Sequence, residues 1–201
     1  MIQTRTAQMA QTVAAQAIGA AETAAVEGLA ELETRISMSV DNSPQPFPHF
    51  TVDTDLTVSV SISGMQLDMA IAAIRPDSPL IGLGADFVQV GNNLGINPIY
   101  IAAHAAWESS WGTSALARNK NNLFGYGAYD SCPYECAFSF NTQVEGIQFV
   151  MNKIKVDYLT PEGQYYNGPN LRGMNLSYAT DPNWSNGIAS IMNSLAAKAT
   201  K

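Results

Sequence analysis

From Gly64 onward, proline and glycine divide the chain into lengths that suit helices of about a dozen residues and little else. The breaks are Arg75-Pro-Asp-Ser-Pro79, Gly95, Asn97-Pro98, Gly112 and Asp181-Pro182. Between them the apolar residues recur at helical spacing. Phe87, Val90 and Leu94 form one stripe, and Ile188, Ile191, Met192 and Leu195 form another. Ser78-Pro79 and Asn97-Pro98 each set proline at a first helical position behind a capping side chain. Thr142-Gln-Val-Glu145 is a capping box, which gives Glu145 a structural role. Asp181 reads as the N-cap of the last helix rather than a catalyst.

The first third of the chain is patterned differently. Ile18, Ala21, Ala25, Leu29, Leu32 and Ile36 predict a helix within residues 5–38. Pro44, Pro46 and Pro48 then make a stiff linker. From Phe50 to Ser63 the period becomes two, with Phe50, Val52, Leu56, Val58, Val60 and Ile62 on one side and Thr, Asp and Ser on the other. This predicts an amphipathic strand. No comparable partner strand is visible, so the strand pairs either with another chain or with a weak strand of its own. The expected organisation is a helical module at 1–43, a linker and strand at 44–64, and the main domain at 75–201.

Ten Lys+Arg against 17 Asp+Glu leave a net charge of −7, which argues against nucleic acid as a partner. An apolar content of 46% suits a folded domain rather than a disordered chain. No apolar run is long enough to span a membrane, and the Ala/Gln/Thr-rich start does not read as a cleavable signal peptide. Cys132 and Cys136 sit four apart. Two free thiols are the simplest reading and a local disulfide competes with it, whereas a metal site lacks nearby ligands.

The stretch that carries chemistry is 95–130. Ile101, Ala105 and Glu108 share one helical face, so Glu108 sets a carboxylate at the end of an apolar stripe between Trp107 and Trp111. Desolvation there raises a carboxyl pKa, and a carboxylic acid kept protonated near neutral pH can protonate a leaving oxygen. His104, among small residues on the same helix, reads as a satisfied buried histidine. Asn121-Asn122, Gly125 and Gly127 then fold a turn around Leu123, Phe124 and Tyr126. An aromatic groove of this kind suits sugar rings, whose CH faces pack on it while their hydroxyls need polar partners.

These residues, AAHAAWESSWGTSALARNKNNLFGYGAYD, resemble the signature of the glucosaminidases of glycoside hydrolase family seventy-three, the lysozyme-like domains of autolysins and phage lysins. Glu108-Ser-Ser-Trp111-Gly112-Thr-Ser114 and Asn122-Leu-Phe124-Gly125-Tyr126 match its two motifs, and YATDPNW at 178–184 is similar to its late tyrosine motif. Trp107, Tyr126 and SCPYEC depart from the usual pattern. The resemblance covers about residues 79–197. It implies an α+β, mainly α, lysozyme-like fold with a small β-hairpin or loop lobe. It implies cleavage of the β-1,4 bond after N-acetylglucosamine in peptidoglycan, with Glu108 as general acid, Tyr178 in the cleft and no cofactor.

Asp130 and Glu135 are the candidates for a second catalytic carboxylate, the substrate's own N-acetyl group being another. Trp111, Asn122, Phe124, Tyr126, Tyr129, Tyr178 and Trp184 are candidate substrate contacts, with Trp184 equally readable as core. The expected site of action is the bacterial cell wall, from a virion or the extracellular side. Residues 1–63 are then expected to join a homo-oligomer or virion and tail proteins. The rival expectation is a structural virion or tail component whose lysozyme-like domain is weakly active or only binds glycan.

Overall fold

A computed structural model describes residues 23, 25–29, 47–129 and 131–199. The chain divides into two compact units, Met1–Pro44 and Gln45–Lys201. In the first, the described residues are helical and exposed, with Val26 and Leu29 open to solvent. The rest of the helix expected over 5–38 lies outside the described residues.

Seven helices are described in the second unit. They are α1 (Gly64–Ile74), α2 (Gly84–Leu94), α3 (Pro98–Glu108), α4 (Ala115–Lys120), α5 (Gln143–Tyr158), α6 (Leu171–Tyr178) and α7 (Trp184–Ala199). Helix α3 forms the centre. Pro98 through Ala106 are all buried, so this helix is apolar on every side and must be enclosed. α7 and α2 pack against it, α1 packs against both of those, α5 lies on α2, and α6 on α7.

Several boundaries follow from the expected punctuation. Asn97 accepts a hydrogen bond from the Ile99 N–H and Pro98 starts α3, while Gly95 ends α2 in a left-handed conformation at φ 60°. Thr142 caps α5, and Glu145 accepts from the Asn141 backbone and side chain, a capping role as expected. Asp181 accepts from the Asn183 N–H ahead of α7. The Ser78-Pro79 signal does not start a helix. Residues 79–82 form turns and α2 begins at Gly84, because the Asp68 carboxylate of α1 accepts the N–H groups of Gly82 and Gly84 at 2.8 and 2.9 Å. Ser78 instead donates to the Trp111 carbonyl at 2.8 Å.

The strand expected at 50–63 does not form. Among the described residues the only bridge pairing is Tyr129 with Cys132, so the small lobe is a loop rather than a hairpin. The alternation still does part of what it encodes, since Phe50, Leu56 and Ile62 are buried while Val58 is exposed. The backbone is satisfied piecemeal instead of by a ladder. Phe50 N–H donates to Asn193 Oδ1 and Asn193 Nδ2 donates back to the Phe50 carbonyl, at 2.9 and 2.7 Å. Leu56 N–H donates to the Pro169 carbonyl, and the Leu56 carbonyl accepts from the Asn97 N–H, both at 2.8 Å. Arg172 N–H donates to the Val52 carbonyl at 2.9 Å, and the Arg172 guanidinium clasps Asp53 with two bonds. Residues 47–63 are thus a strap over the body of their own chain, and the case for pairing this segment with another chain lapses.

The two thiols are joined. Cys132 and Cys136, with Cα atoms 5.4 Å apart, form a disulfide that closes a tight loop, so the free-thiol reading gives way to its competitor.

Asn193→Ala strips the Phe50 amide and carbonyl of their partner. The expected loss of stability is about 1–2 kcal/mol, measured by urea unfolding. A variant as stable as the parent would show that the strap is not held at this point.

Candidate active site

Glu108 is the last residue of α3, and its side chain is 22% exposed. Helix α3 stops there because Ser110, Trp111 and Gly112 follow in left-handed conformations, at φ 51°, 63° and 84°. Two non-glycine residues in that region are strained, and the turn is held by bonds on both sides. The Ser109 hydroxyl donates to the Ala105 carbonyl and accepts from the Gly112 N–H, and Trp111 N–H donates to the Ala106 carbonyl. Ser114 then caps α4. This turn leaves the Glu108 carboxylate at the mouth of a buried helix.

Opposite it stands the start of α7. Trp184, buried, donates its indole N–H to Glu108 Oε1 at 2.7 Å. The Trp107 ring lies against Gly187 one turn later on α7, where any Cβ would collide with it. His104, one turn before Glu108 and fully buried, has Nε2 3.4 Å from the same oxygen. That separation exceeds an ordinary hydrogen bond, and Nε2 has no other partner. On the far side of the ring, Nδ1 lies 3.0 Å from the Tyr100 hydroxyl. Four rings box the imidazole in, those of Tyr100, Phe124, Tyr178 and Trp184, at centroid distances of 5.4, 5.4, 5.0 and 5.3 Å. Tyr178, at the end of α6, also leans on Trp184 at 4.9 Å.

The electrostatics differ from the expectation of a raised carboxyl pKa. Burial does push Glu108 upward, but the His104 ring and the Trp184 N–H together outweigh it and hold the carboxyl below its ordinary 4.5. Burial, then the nearby Glu108 charge, drives the Tyr100 and Tyr178 phenols well above 10.0, so both keep their protons.

The other expected site residues divide into three groups. Phe124, Tyr178 and Trp184 gather around His104, and Trp184 also bonds Glu108. Asn122 is committed to its own turn, donating to the carbonyls of Tyr126 and Phe138 and accepting from the Tyr126 N–H. Tyr126 is half-buried with its ring edge-on to Phe138 and Phe149, Trp111 is packed on the core, and Tyr129 is exposed beside the disulfide loop. Glu135 is exposed in that loop, and Asp130 lies outside the described residues. The groove of about 730 Å³ beside Tyr178 is lined by Val52, Arg172, Asn175 and Ser185 and does not include Glu108. No set of His, Cys, Asp and Glu suited to a metal occurs among the described residues. Tyr100 and His104 were not assigned a role by sequence reasoning, although Tyr100, His104 and Glu108 at successive four-residue steps already mark one helix face.

The enclosed apolar helix thus ends in a carboxylate bonded by an indole from the start of α7. A family model described as mannosyl-glycoprotein endo-beta-N-acetylglucosaminidase matches residues 84–197, and the chain belongs to this glucosaminidase family. A Streptococcus pneumoniae (serotype 4) protein bearing the name "Putative endo-beta-N-acetylglucosaminidase" is 38% identical over 139 residues, 69% of this chain and 21% of its own length. A Bacillus subtilis beta-N-acetylglucosaminidase is 39% identical over 61 residues, 27% of this chain and 7% of its own. The chain thus spans about a fifth or less of these relatives. Among solved structures, a catalytic mutant of Staphylococcus aureus autolysin E in complex with the disaccharide NAG-NAM has the same fold. Its TM-score is 0.60 at 22% identity, over 77% of this chain and 75% of that one. S. aureus glucosaminidase B is similar at a TM-score of 0.53 and 22% identity, over 80% and 68%.

A carboxyl held below its ordinary value in the fold stabilises that fold above the ordinary value and stops doing so as pH falls through the lowered one. The stability gap between the parent and Glu108→Gln is therefore expected to be steady from pH 7 to about 5 and to shrink below about 4.5. Thermal unfolding across this range checks it, and a gap that widens on acidification would contradict the assigned direction.

Proposed function

We propose that this chain hydrolyses peptidoglycan at the β-1,4 bond after N-acetylglucosamine, with Glu108 as the general acid. The observation that carries the proposal is the asymmetry of the Glu108 carboxylate. Trp184 and His104 both address Oε1, while Oε2 has no partner among the described residues. Oε2 is therefore the oxygen left to carry the transferable proton. Family membership supplies the chemistry that such a proton would serve. The disaccharide NAG-NAM in the autolysin E complex supports the substrate class.

In the free protein Glu108 is held low. A glycan laid over the exposed fifth of the side chain displaces water and favours the neutral acid. The acid passes its proton from Oε2 to the glycosidic oxygen as the C1–O bond breaks. The resulting carboxylate is stabilised by the Trp184 N–H on Oε1. Capture of C1 by water, directly or after a covalent or oxazoline intermediate, returns a proton to Glu108 and completes the cycle. Asp130, Glu135 and the substrate's N-acetyl group are the proposed partners in that second half. Tyr178 and Phe124 are the proposed sugar-facing rings, supported by the family resemblance and by their place around His104, one turn from Glu108.

Action is proposed at the bacterial cell wall. Delivery within a phage virion or tail, or as a homo-oligomer, is proposed through residues 1–43 and is supported by the sequence of that segment alone. No helix among the described residues is long and apolar enough to cross a membrane.

Digestion of purified sacculi with mass analysis of the fragments tests both halves of the reading. The parent is expected to release muropeptides with N-acetylglucosamine at the reducing end. Glu108→Gln is expected to lose roughly a hundredfold or more while remaining folded. Reducing-end N-acetylmuramic acid would refute the bond assignment, and an active Glu108→Gln would refute the acid.

A further inference from the structure

His104 is not explained by the acid chemistry just described. A histidine in an apolar box is ordinarily satisfied at both nitrogens, because an unmet buried donor is costly. Here one nitrogen is met and the other is aimed, without a partner, at an acid. The Tyr100 hydroxyl carries one proton and faces Nδ1 at 3.0 Å and Met174 Sδ at 3.5 Å. Thioether sulfur is the weaker acceptor, so the proton goes to Nδ1 and the imidazole proton must then sit on Nε2. An Nε2–H points at Oε1 and complements the Trp184 N–H on the same oxygen. The four surrounding rings keep the imidazole from turning away.

We propose that His104 is a positioning residue of this site, its Nε2–H closing on Glu108 Oε1 in the loaded cleft and confining the transferable proton to Oε2. This rests on the reading of Glu108 as the acid. The 3.4 Å separation is the open form of that contact, since hydrogen bonds in a catalytic site tighten when the substrate is bound. The titratable groups that bear on the pair are Tyr100 on α3 and Tyr178 on α6; behind them Tyr158 at the end of α5 bears on both phenols and Tyr126 in the aromatic turn bears on Tyr178. No second carboxylate or cation among the described residues competes for Glu108 in these interactions.

The tautomer is measured directly on the intact chain. With only His49 and His104 present, two-bond 15N–1H NMR spectra separate an Nε2–H from an Nδ1–H ring. An Nε2–H His104 is expected, and an Nδ1–H ring overturns the proposal. In kinetics, His104→Phe keeps the box filled and removes both nitrogens. It is expected to lower kcat by roughly tenfold to a hundredfold with KM little changed. The alkaline limb of the kcat profile is expected to move to higher pH, because a donor that favours the Glu108 carboxylate is gone. His104→Gln, which restores an N–H, is expected to recover much of kcat. A merely structural histidine would not move the limb, so a folded His104→Phe with the parent's kcat and limb overturns the proposal. Should His104→Phe fail to fold, Tyr100→Phe removes only the hydroxyl. Mixed tautomers and a limb displaced in the same direction are then expected, and an unchanged tautomer with an unchanged limb refutes the assignment. An active Glu108→Gln defeats the acid itself and is a separate failure. An inactive Glu108→Gln beside an unaffected His104→Phe defeats only the role of His104.

Discussion

The hydrogen bond from the Trp184 indole to Glu108 ties together two residues 76 positions apart and joins the end of α3 to the beginning of α7. Much of the site depends on this clasp. It holds the carboxylate against the mouth of the buried helix, and it sets the indole as one wall of the box around His104. It also draws the α7 start close enough for the Trp107 ring to rest on Gly187. A charge-assisted bond in a partly dry setting is stronger than its neutral counterpart in water, which suits a joint between only two helix ends.

Around that joint the polar groups are arranged in tiers. Of Glu108, His104 and Tyr100, Glu108 alone has access to solvent. His104 stands behind it and Tyr100 behind His104, each one helical turn deeper. The helix supplies this depth without loops, because residues four apart stack on one face. The strained turn at 110–112 then removes the chain from the carboxylate's path.

Much of the helical frame was legible in the chain itself, because caps and prolines act within one turn of where they stand. Asn97-Pro98, Gly95, Thr142 and Asp181 each did locally what their chemistry requires. The failures share a cause, which is that the deciding partner is distant in sequence. Alternation from 50 to 63 reports that one side of the chain is buried, but not that Asn193, Pro169 and Arg172 would take its backbone in place of a neighbouring strand. Ser78-Pro79 looked like a helix start, yet Asp68 supplies the cap five residues later. Glu108 stood out from its motif and its place on an apolar stripe. Its lowered pKa was hidden for a different reason: the expected burial was real, but the neighbouring His104, which chiefly opposes it, reads from the sequence as satisfied elsewhere, and the Trp184 indole that adds to it lies far along the chain. His104 was visible as a spacing and unreadable as a role.

The disulfide loop is moored in an unusual way. Lys120, at the end of α4, donates to the main-chain carbonyls of Tyr134, Glu135 and Ala137, and its ammonium sits 4.8 Å above the Tyr134 ring centre. Beside it Asn121 donates to the carbonyls of Phe140 and Asn141. Carbonyls belong to every residue type, so this anchorage is blind to most of the letters it grips. Apart from Tyr134 under the ammonium, the bridged cysteines, buried Ala137 and the packed rings of Phe138 and Phe140, side chains along this segment can drift during evolution while its path stays put. The segment is a place where a lineage can rewrite what its surface presents without refolding the scaffold beneath.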